Sequence, residues 1–238
     1  MKMYYDLHIH TALSPCGDRD MSPMNIVNMA ILKGLDIIAI TDHNSVKNCL
    51  PCIEMAKDKD IIIIPGMEIQ TKEEVHLLCL FKNIRDALKF EDNIQDYMPK
   101  ELNNPEFFGE QLIFDEKNNV VDKEERLLIV SANLNINQVF SMVSSLNGAV
   151  IPAHIDKRNF SIISNLGFLP LDINITTVEI SKNCNREDFI NRNRYLEKYN
   201  IIINSDAHYL GDISEAENYI EVHTKNIDEF FELLKNHL

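Results

Sequence analysis

The sequence predicts an α/β fold built on a parallel sheet, and three observations carry that expectation. Short apolar runs alternate with helix-patterned stretches through most of the chain. The runs are continuous rather than alternating, which is the pattern of strands covered on both faces. The chain is 238 residues long, and α/β barrels occupy roughly 200 to 250 residues as one unit, so residues 1–238 are expected to form a single domain. Apolar residues at 45% and charged residues at 25% sit near the globular average and exclude a disordered or fibrous chain.

Seven runs read as strands: Met3–Leu7, Asp36–Thr41, Ile61–Pro65, Val75–Phe81, Ala149–Ala153, Thr177–Ser181 and Ile201–Asn204. Between the first two, Ser22 supplies an N-cap and Pro23 a first-turn proline. Val27, Ala30 and Ile31 share a helical face and Gly34 ends the turn, which makes a βαβ unit. Cys49 and Cys52 stand at the CxxC spacing of a redox pair, but they read as ordinary residues opening a helix, since Cys16, Cys79 and Cys184 supply no second pair. The stretch 82–125 is charged, broken by Pro99, Pro105 and Gly109, and longer than a normal connection, so it reads as an insertion. A helix over Ile84–Tyr97 and a hairpin pairing Gln111–Phe114 with Val120–Val121 are expected within it. It should pack beside the functional rim and restrict the pocket to small substrates, with Phe107, Phe108 and Phe114 as apolar anchors. Further on, Ile136, Val139, Phe140, Val143 and Leu146 form one apolar stripe and Ile227, Phe230, Phe231 and Leu234 another, both reading as packing helices.

No apolar run reaches the roughly 18 residues of a membrane span, and the start lacks the apolar stretch of a signal peptide, so a soluble cytoplasmic protein without a membrane partner is expected. Five cysteines, an odd number, fit a reducing compartment. The net charge of −14 argues against binding of long nucleic acid, because a polyanion is repelled unless basic residues gather on one face.

Six of the eight histidines lie at or just past an end of an apolar run, and in a parallel barrel the strand ends build the active face. His8 and His10 flank Ile9, so the period of two in an extended chain points both imidazoles, and Asp6 with them, to one side. Thr41-Asp42-His43, Gly66-Met67-Glu68, Ala153-His154 and Ser205-Asp206-Ala207-His208 follow other runs, and His76 opens the strand after Glu68. Six histidines and two carboxylates exceed the four donors of one tetrahedral zinc, so at least two ions are expected. His223 and His237 fall outside this pattern.

The elements DLHIH, TDHNS, PGMEI, EVHLL, PAHID and SDAH, spread over residues 6 to 208, resemble the motifs of the PHP superfamily, the polymerase and histidinol phosphatase metal-dependent phosphoesterases. The resemblance implies a distorted (β/α)7 TIM-like barrel with two or three divalent ions, zinc, manganese or iron, at its C-terminal rim. It implies that His8, His10, Glu68 and Asp206 hold the first ion, that Glu68 bridges to a second held by His76 and His154, and that His43 with His208 holds a third. The departure follows His10: where members with three ions place another histidine, this chain has Cys16-Gly17-Asp18. Asp18 is the expected replacement ligand and Cys16 the alternative.

Two ions sharing a water bring its pKa from about 15.7 towards neutrality and make a hydroxide nucleophile, while the charge developing on the phosphoryl oxygens is neutralised. Glu68, Asp206 and His208 are the residues expected to carry catalysis. Asp6 and Asp42 adjoin the ligands and are candidates for orienting them. Lys157 and Arg158 follow His154 and are candidates for the substrate phosphate, Arg158 as a bidentate donor. The expected activity is a hydrolase acting on phosphoric ester bonds, a phosphatase or phosphodiesterase of a small phosphorylated metabolite or short nucleotide. The alternatives are a histidinol-phosphate phosphatase or a metal-binding accessory protein without turnover.

Overall fold

The computed structural model describes residues 1–236. Among the described residues there are ten strands: β1 (Lys2–Ile9), β2 (Ile37–Ile40), β3 (Ile62–Gln70), β4 (His76–Leu80), β5 (Leu112–Phe114), β6 (Val120–Lys123), β7 (Ala149–Pro152), β8 (Thr177–Ser181), β9 (Asn200–Asn204) and β10 (Tyr219–Glu221). The helices are α1 (Pro23–Leu32), α2 (Cys49–Ala56), α3 (Ile84–Ile94), α4 (Pro105–Phe108), α5 (Ile136–Ser145), α6 (Ile162–Leu166), α7 (Arg186–Arg192) and α8 (Ile227–Lys235). All seven expected strands and the helices read from apolar stripes are therefore in place. No described helix is long and apolar enough to cross a membrane.

The main sheet has the order β10-β1-β2-β3-β4-β7. It is mixed, which corrects the parallel sheet expected from sequence: β1, β2 and β3 run parallel, β4 is antiparallel to both β3 and β7, and β10 is antiparallel to β1. The cause is connection length. Parallel neighbours need a crossover of about a dozen residues or more, and the chain from Gln70 to His76 only turns back on itself, with Gln70 paired to His76. The reversal allows the start of β4 to share a rim with the ends of β3 and β7. Gly66 makes the close pairing possible, since a Cβ there would stand 2.8 Å from Leu80 Cδ2 and 3.0 Å from the Cys79 carbonyl.

A separate parallel pair, β8–β9, lies with β8 beside β7 and β9 beside β1. It is joined to β1 through the bridge Ile9–Ala207 and to the segment after β7 through Ile155 N–H donating to the Glu179 carbonyl. Met3, Tyr5, Leu7, Ile37, Ala39, Ile64, Leu78, Leu80 and Ile151 form one buried cluster, closed by Phe230, Phe231 and Leu234 of α8. The opposite faces of these strands pack with α1, α2, α3 and α5 in a second, larger cluster. Cys49 and Cys52 are fully buried at the start of α2 and burial pushes both thiols up, the reverse of what a redox pair needs. All five cysteines are free.

Residues 82–125 contain α3, α4 and the antiparallel hairpin β5–β6. Leu112 N–H donates to the Ala12 carbonyl, Asn48 bonds both Leu112 and Phe114, and Ser45 Oγ bonds Glu91, so the segment packs on the loops after β1 and β2. Phe114 is buried with Ala12 and Leu112. Phe107 is 78% exposed and is not an anchor; it lies on the short α4, whose residues are not buried, and its ring meets only partly exposed Phe108 beside it.

Candidate metal centre

The site forms where β1, β3 and β7 end, where β4 begins, and in the turn after β9. Met3, Tyr5 and Leu7 point into the cluster closed by α8, whereas Ile9 belongs to the outer one. Between them the pairing with β2 slips, at Asp6 to Ile9. This bulge changes the alternation and aims His8 and His10 inward. It also separates Asp6 from them. Asp6 instead accepts hydrogen bonds from Ser205 N–H (3.1 Å) and Ser214 N–H (2.9 Å), which holds the turn carrying Asp206. Asp206 and His154 occupy the left-handed region, at φ 53° and 30°, a conformation uncommon for residues other than glycine and concentrated at functional sites.

Glu68 lies at the centre and is 1% exposed. Its Oε1 is 2.8 Å from His76 Nδ1, 3.2 Å from His154 Nε2 and 3.3 Å from His8 Nε2; its Oε2 is 3.0 Å from His43 Nδ1 and 3.4 Å from His10 Nε2. One carboxylate thus meets five imidazoles. His8 Nε2 and His10 Nε2 are 3.2 Å apart, and each is 3.3 Å from Asp206 Oδ1. Three donor atoms within 3.3 Å of one another, with Glu68 beside them, could serve one cation of the zinc type. The buried Nδ1 atoms of His43 and His154 have no hydrogen-bond partner; His43 Nδ1 is close to Glu68 without the angle of a hydrogen bond. Such approaches of lone-pair donors fit a set of ligands facing shared cations.

The expected second set, Glu68 with His76 and His154, is assembled, and His43 joins it from the other carboxylate oxygen. His10, His43 and His208 form a further group with ring nitrogens within 4.8 Å of one another, the His10 and His208 rings stacked 4.3 Å apart. Asp18 is placed differently: its Oδ1 accepts from Asp20 N–H, and no contact joins its carboxylate to the cluster among the described residues. The Lys157 ammonium bonds Asp206 Oδ2. Arg158 is exposed and its side chain makes no contact with the cluster among the described residues. His223 is 99% exposed in its side chain and pairs with Glu229; His237 lies outside the described residues.

Glu179 is a site residue that the sequence reading did not single out. It is buried in β8, both its oxygens lie 3.1 Å from His8 Nδ1, and it accepts from His154 N–H (3.0 Å) and Asn204 Nδ2 (2.7 Å). A carboxylate behind a ligating imidazole fixes its tautomer and raises its basicity. The available signal was a charged residue in the middle of the apolar run Thr177–Ser181. Asp42 acts one step further back. It accepts from Ser14 Oγ (2.7 Å) and Thr11 N–H (2.7 Å), and Ser14 Oγ meets His10 Nδ1 at 2.9 Å.

These contacts divide the imidazoles. Burial alone would lower His8, His10 and His43, but the surrounding carboxylates outweigh it, raising His8 and bringing His10 and His43 to about 9. Burial dominates at His76, which is lowered, and at His208, lowered to about 3 with the help of neighbouring His10. Glu68 and Asp206 stay ionised: burial opposes this, and the facing histidines overcome it. A raised folded-state value stabilises the metal-free protein fully below the ordinary value of about 6.5 and is lost as pH rises through about 9. A metal needs the same imidazoles neutral and must displace their protons. Metal-free protein should therefore lose thermal stability between about pH 6.5 and 9, while the rise in melting temperature on adding manganese grows over that interval. Titration calorimetry in buffers of different ionisation enthalpy should register proton release on loading near pH 7.5. A melting-temperature increment that is flat with pH removes the coupling.

A family model described as PHP domain matches residues 6–237. The uncharacterized protein MJ1587 of Methanocaldococcus jannaschii is 34% identical over 102 residues, covering 39% of this chain and 60% of that protein. A 5'-3' exoribonuclease of Haemophilus influenzae is 32% identical over 83 residues, covering 34% of this chain and 29% of that protein. Among solved structures, the lesion-specific endonuclease PfuEndoQ of Pyrococcus furiosus matches with a TM-score of 0.70 at 21% identity, over 99% of this chain and 56% of that one. A complex of endonuclease Q with a 27-mer duplex substrate bearing an abasic lesion at the active site matches with a TM-score of 0.69 at 18% identity, over 99% of this chain and 57% of that one. The matches thus span less than two thirds of each of these proteins, and at these structural identities the likeness is one of fold. The duplex complex corrects the expectation that long nucleic acid is excluded. A net charge summed over the chain does not decide that question, because a duplex meets one face, and ions bound at a rim reverse the local sign.

Proposed function

The chain belongs to the PHP domain family, hydrolases of phosphoester bonds, and from that premise we propose that it cleaves a phosphate ester of a nucleotide, free or within a strand, at the cluster around Glu68. The observation that carries the reading is the single buried carboxylate met by five imidazoles. We read β1, β2, β3, β4, β7, β8 and β9 as a distorted seven-stranded barrel with β10 at its edge, residues 1–238 as one catalytic unit, and 82–125 as an insertion bordering its rim. His8, His10, Glu68 and Asp206 would hold one ion, His76 and His154 with Glu68 a second, and His43 and His208 a third; zinc, manganese and iron all suit such donors. Bound there, the ions supply Lewis-acid charge and an acidified water.

The protein's own groups prepare that chemistry. Glu179 and Ser14 hold the Nδ1 sides of His8 and His10, so both Nε2 atoms face Glu68 and Asp206. Asp6 holds the strained turn of Asp206. Lys157 is kept cationic: burial opposes the charge but Asp206 beside it raises its pKa. A phosphoryl oxygen arriving at Asp206 meets this ammonium, which offsets charge developing in the transition state. Arg158, further out, is the weaker candidate for the same task. Phe160 lies over His76 with ring centroids 4.6 Å apart and is 40% exposed, and an exposed ring face beside the ions suits a stacked base. The names of the exoribonuclease and endonuclease relatives favour nucleotide esters over histidinol phosphate. The assembled ligand set disfavours an accessory protein without turnover.

The test is product release by metal-loaded protein from histidinol phosphate, nucleoside monophosphates, nucleoside bisphosphates, dinucleotides and a duplex with an abasic site. Cleavage of nucleotide esters in preference to histidinol phosphate is expected, and loaded protein inert on all of them overturns the reading. Lys157→Ala should lower kcat/KM about tenfold or more, with most of the loss in kcat, since a charge-assisted bond contributes about 1.5–3 kcal/mol and each 1.4 kcal/mol is a factor of ten. An unchanged kcat/KM takes Lys157 out of the phosphate site.

A further inference from the structure

Seven of the eight α-helices among the described residues have an N-cap whose side chain accepts a hydrogen bond from the first turn. Asn48, the N-cap of α2, is a residue type suited to that task and does not perform it. Its fully buried amide is spent elsewhere. Nδ2 donates to Thr11 Oγ1 at 2.8 Å and to the Leu112 carbonyl at 3.0 Å, and Oδ1 accepts from Phe114 N–H at 3.0 Å. Because a backbone N–H can only donate, Phe114 fixes which way round the Asn48 amide lies. Thr11 Oγ1 also accepts from Leu13 N–H at 3.0 Å, so both its lone pairs are taken and its one hydrogen goes to Asp42 Oδ2 at 2.8 Å. That bond pins the carboxylate with Oδ1 turned to the Ser14 hydroxyl, which donates to it at 2.7 Å. Ser14 Oγ then has only lone pairs left, one for His43 N–H at 3.1 Å and one for His10 Nδ1 at 2.9 Å. His10 Nδ1 must therefore carry a hydrogen, which leaves Nε2 as the donor atom facing Asp206 and Glu68. Asn48, Thr11, Asp42 and Ser14 are each no more than 1% exposed, so solvent does not reorder these bonds.

We propose that Asn48 is a positioning residue that couples the segment 82–125 to the metal-binding face of His10: β5 orients the Asn48 amide, and the amide holds the Thr11 hydrogen on Asp42 and so keeps Ser14 as the acceptor behind His10. This role rests on the metal-dependent reading above. It gives the insertion a task besides bordering the rim. A tie that merely fastens the insertion to the barrel is already supplied by Ser45, whose Oγ donates to Glu91 Oε1 at 2.6 Å from the same loop and does not touch the path to His10. Asn48 differs in that its partners lead, one buried bond at a time, to a ring that faces the cluster.

Full-length protein stripped with a chelator is loaded with zinc alone, and three quantities are read. These are zinc affinity by chelator competition, the melting temperature, and the ring Nδ1–H proton resonance of His10 in zinc-loaded protein carrying isotope-labelled histidine. The unaltered protein is expected to show that resonance protected from exchange with solvent. In Asn48→Asp the new carboxylate accepts from Phe114 N–H but donates to neither Thr11 nor Leu112, so the Thr11 hydrogen turns towards it and leaves Asp42. Zinc affinity should fall about tenfold, the low end of the loss on disturbing the partners behind a ligating histidine, and the His10 resonance should exchange faster. Thr11→Val keeps the amide's bonds to the hairpin and cuts only the link to Asp42. It should reproduce both changes, and it carries the test if Asn48→Asp does not fold. Ser45→Ala should lower the melting temperature while leaving zinc affinity and the resonance as they were. Unaltered zinc affinity and exchange in Thr11→Val, or equal losses of both in Ser45→Ala, would show a tie that is only structural; either overturns the proposal and leaves the metal-dependent reading standing. Failure of the unaltered protein to bind zinc overturns both.

Discussion

Glu68→Gln should leave the fold intact and lower phosphate-ester hydrolysis by about 10³ or more, equivalent to about 4 kcal/mol of transition-state stabilisation. The substitution keeps the shape of a side chain that is 1% exposed and central to the cluster. It removes the negative charge shared by His8, His10, His43, His76 and His154, each within 3.4 Å of a Glu68 oxygen. A Gln amide offers one acceptor and one NH₂ group, and the NH₂ must face imidazole nitrogens that are themselves presented to a cation. Fewer ions should be retained, and with them goes the Lewis-acid charge that they would supply. Elemental analysis, turnover and far-ultraviolet circular dichroism on the same preparation separate these effects. A folded Glu68→Gln protein with near-normal turnover would end the shared-carboxylate mechanism.

Glu179→Gln should weaken metal retention about 10- to 100-fold, the usual cost of losing the partner behind a ligating histidine. Glu179 receives three donors, His8 Nδ1, His154 N–H and Asn204 Nδ2, in a buried site. A carboxylate accepts all three, whereas Gln turns its own NH₂ against at least one of them. A buried donor left unsatisfied costs about 1–3 kcal/mol, so the melting temperature should fall as well. The loss also removes the largest of the carboxylate influences that raise His8, which makes that imidazole a weaker base and a weaker ligand. Chelator competition with the loaded protein measures the affinity, and retention equal to the unaltered chain would show that Glu179 is a core residue with no part in the centre.

Much of this was legible because the signals are local. Seven apolar runs became seven strands, and Ser22, Pro23 and Gly34 bounded a helix as capping chemistry requires. Histidines at run ends became neighbours because strand ends meet on one rim. The hairpin in 82–125 followed from its turn residues, and Phe107 failed as an anchor because burial depends on what covers a side chain, which a stretch of sequence does not contain.

The residue types and their order by themselves determined an α/β chain carrying six histidines and two carboxylates at strand ends, and hence side chains that could hold metal. Only the tertiary structure decided how these groups face one another. His76 was legible as the opening residue of a strand, but that this strand runs antiparallel to β3, so that its start lies on the rim where the others close, appears only when the strands are paired. The bulge between Asp6 and Ile9 shifted the alternation by one residue, sending His8 and His10 inward and Asp6 to a backbone turn. Glu179 came from a strand 171 residues beyond His8, and no local pattern couples such positions. Covalent geometry propagates over a few residues, so periodicity is written in the chain; contact between distant side chains depends on strand direction, register and the closing of the sheet, which are properties of the folded whole.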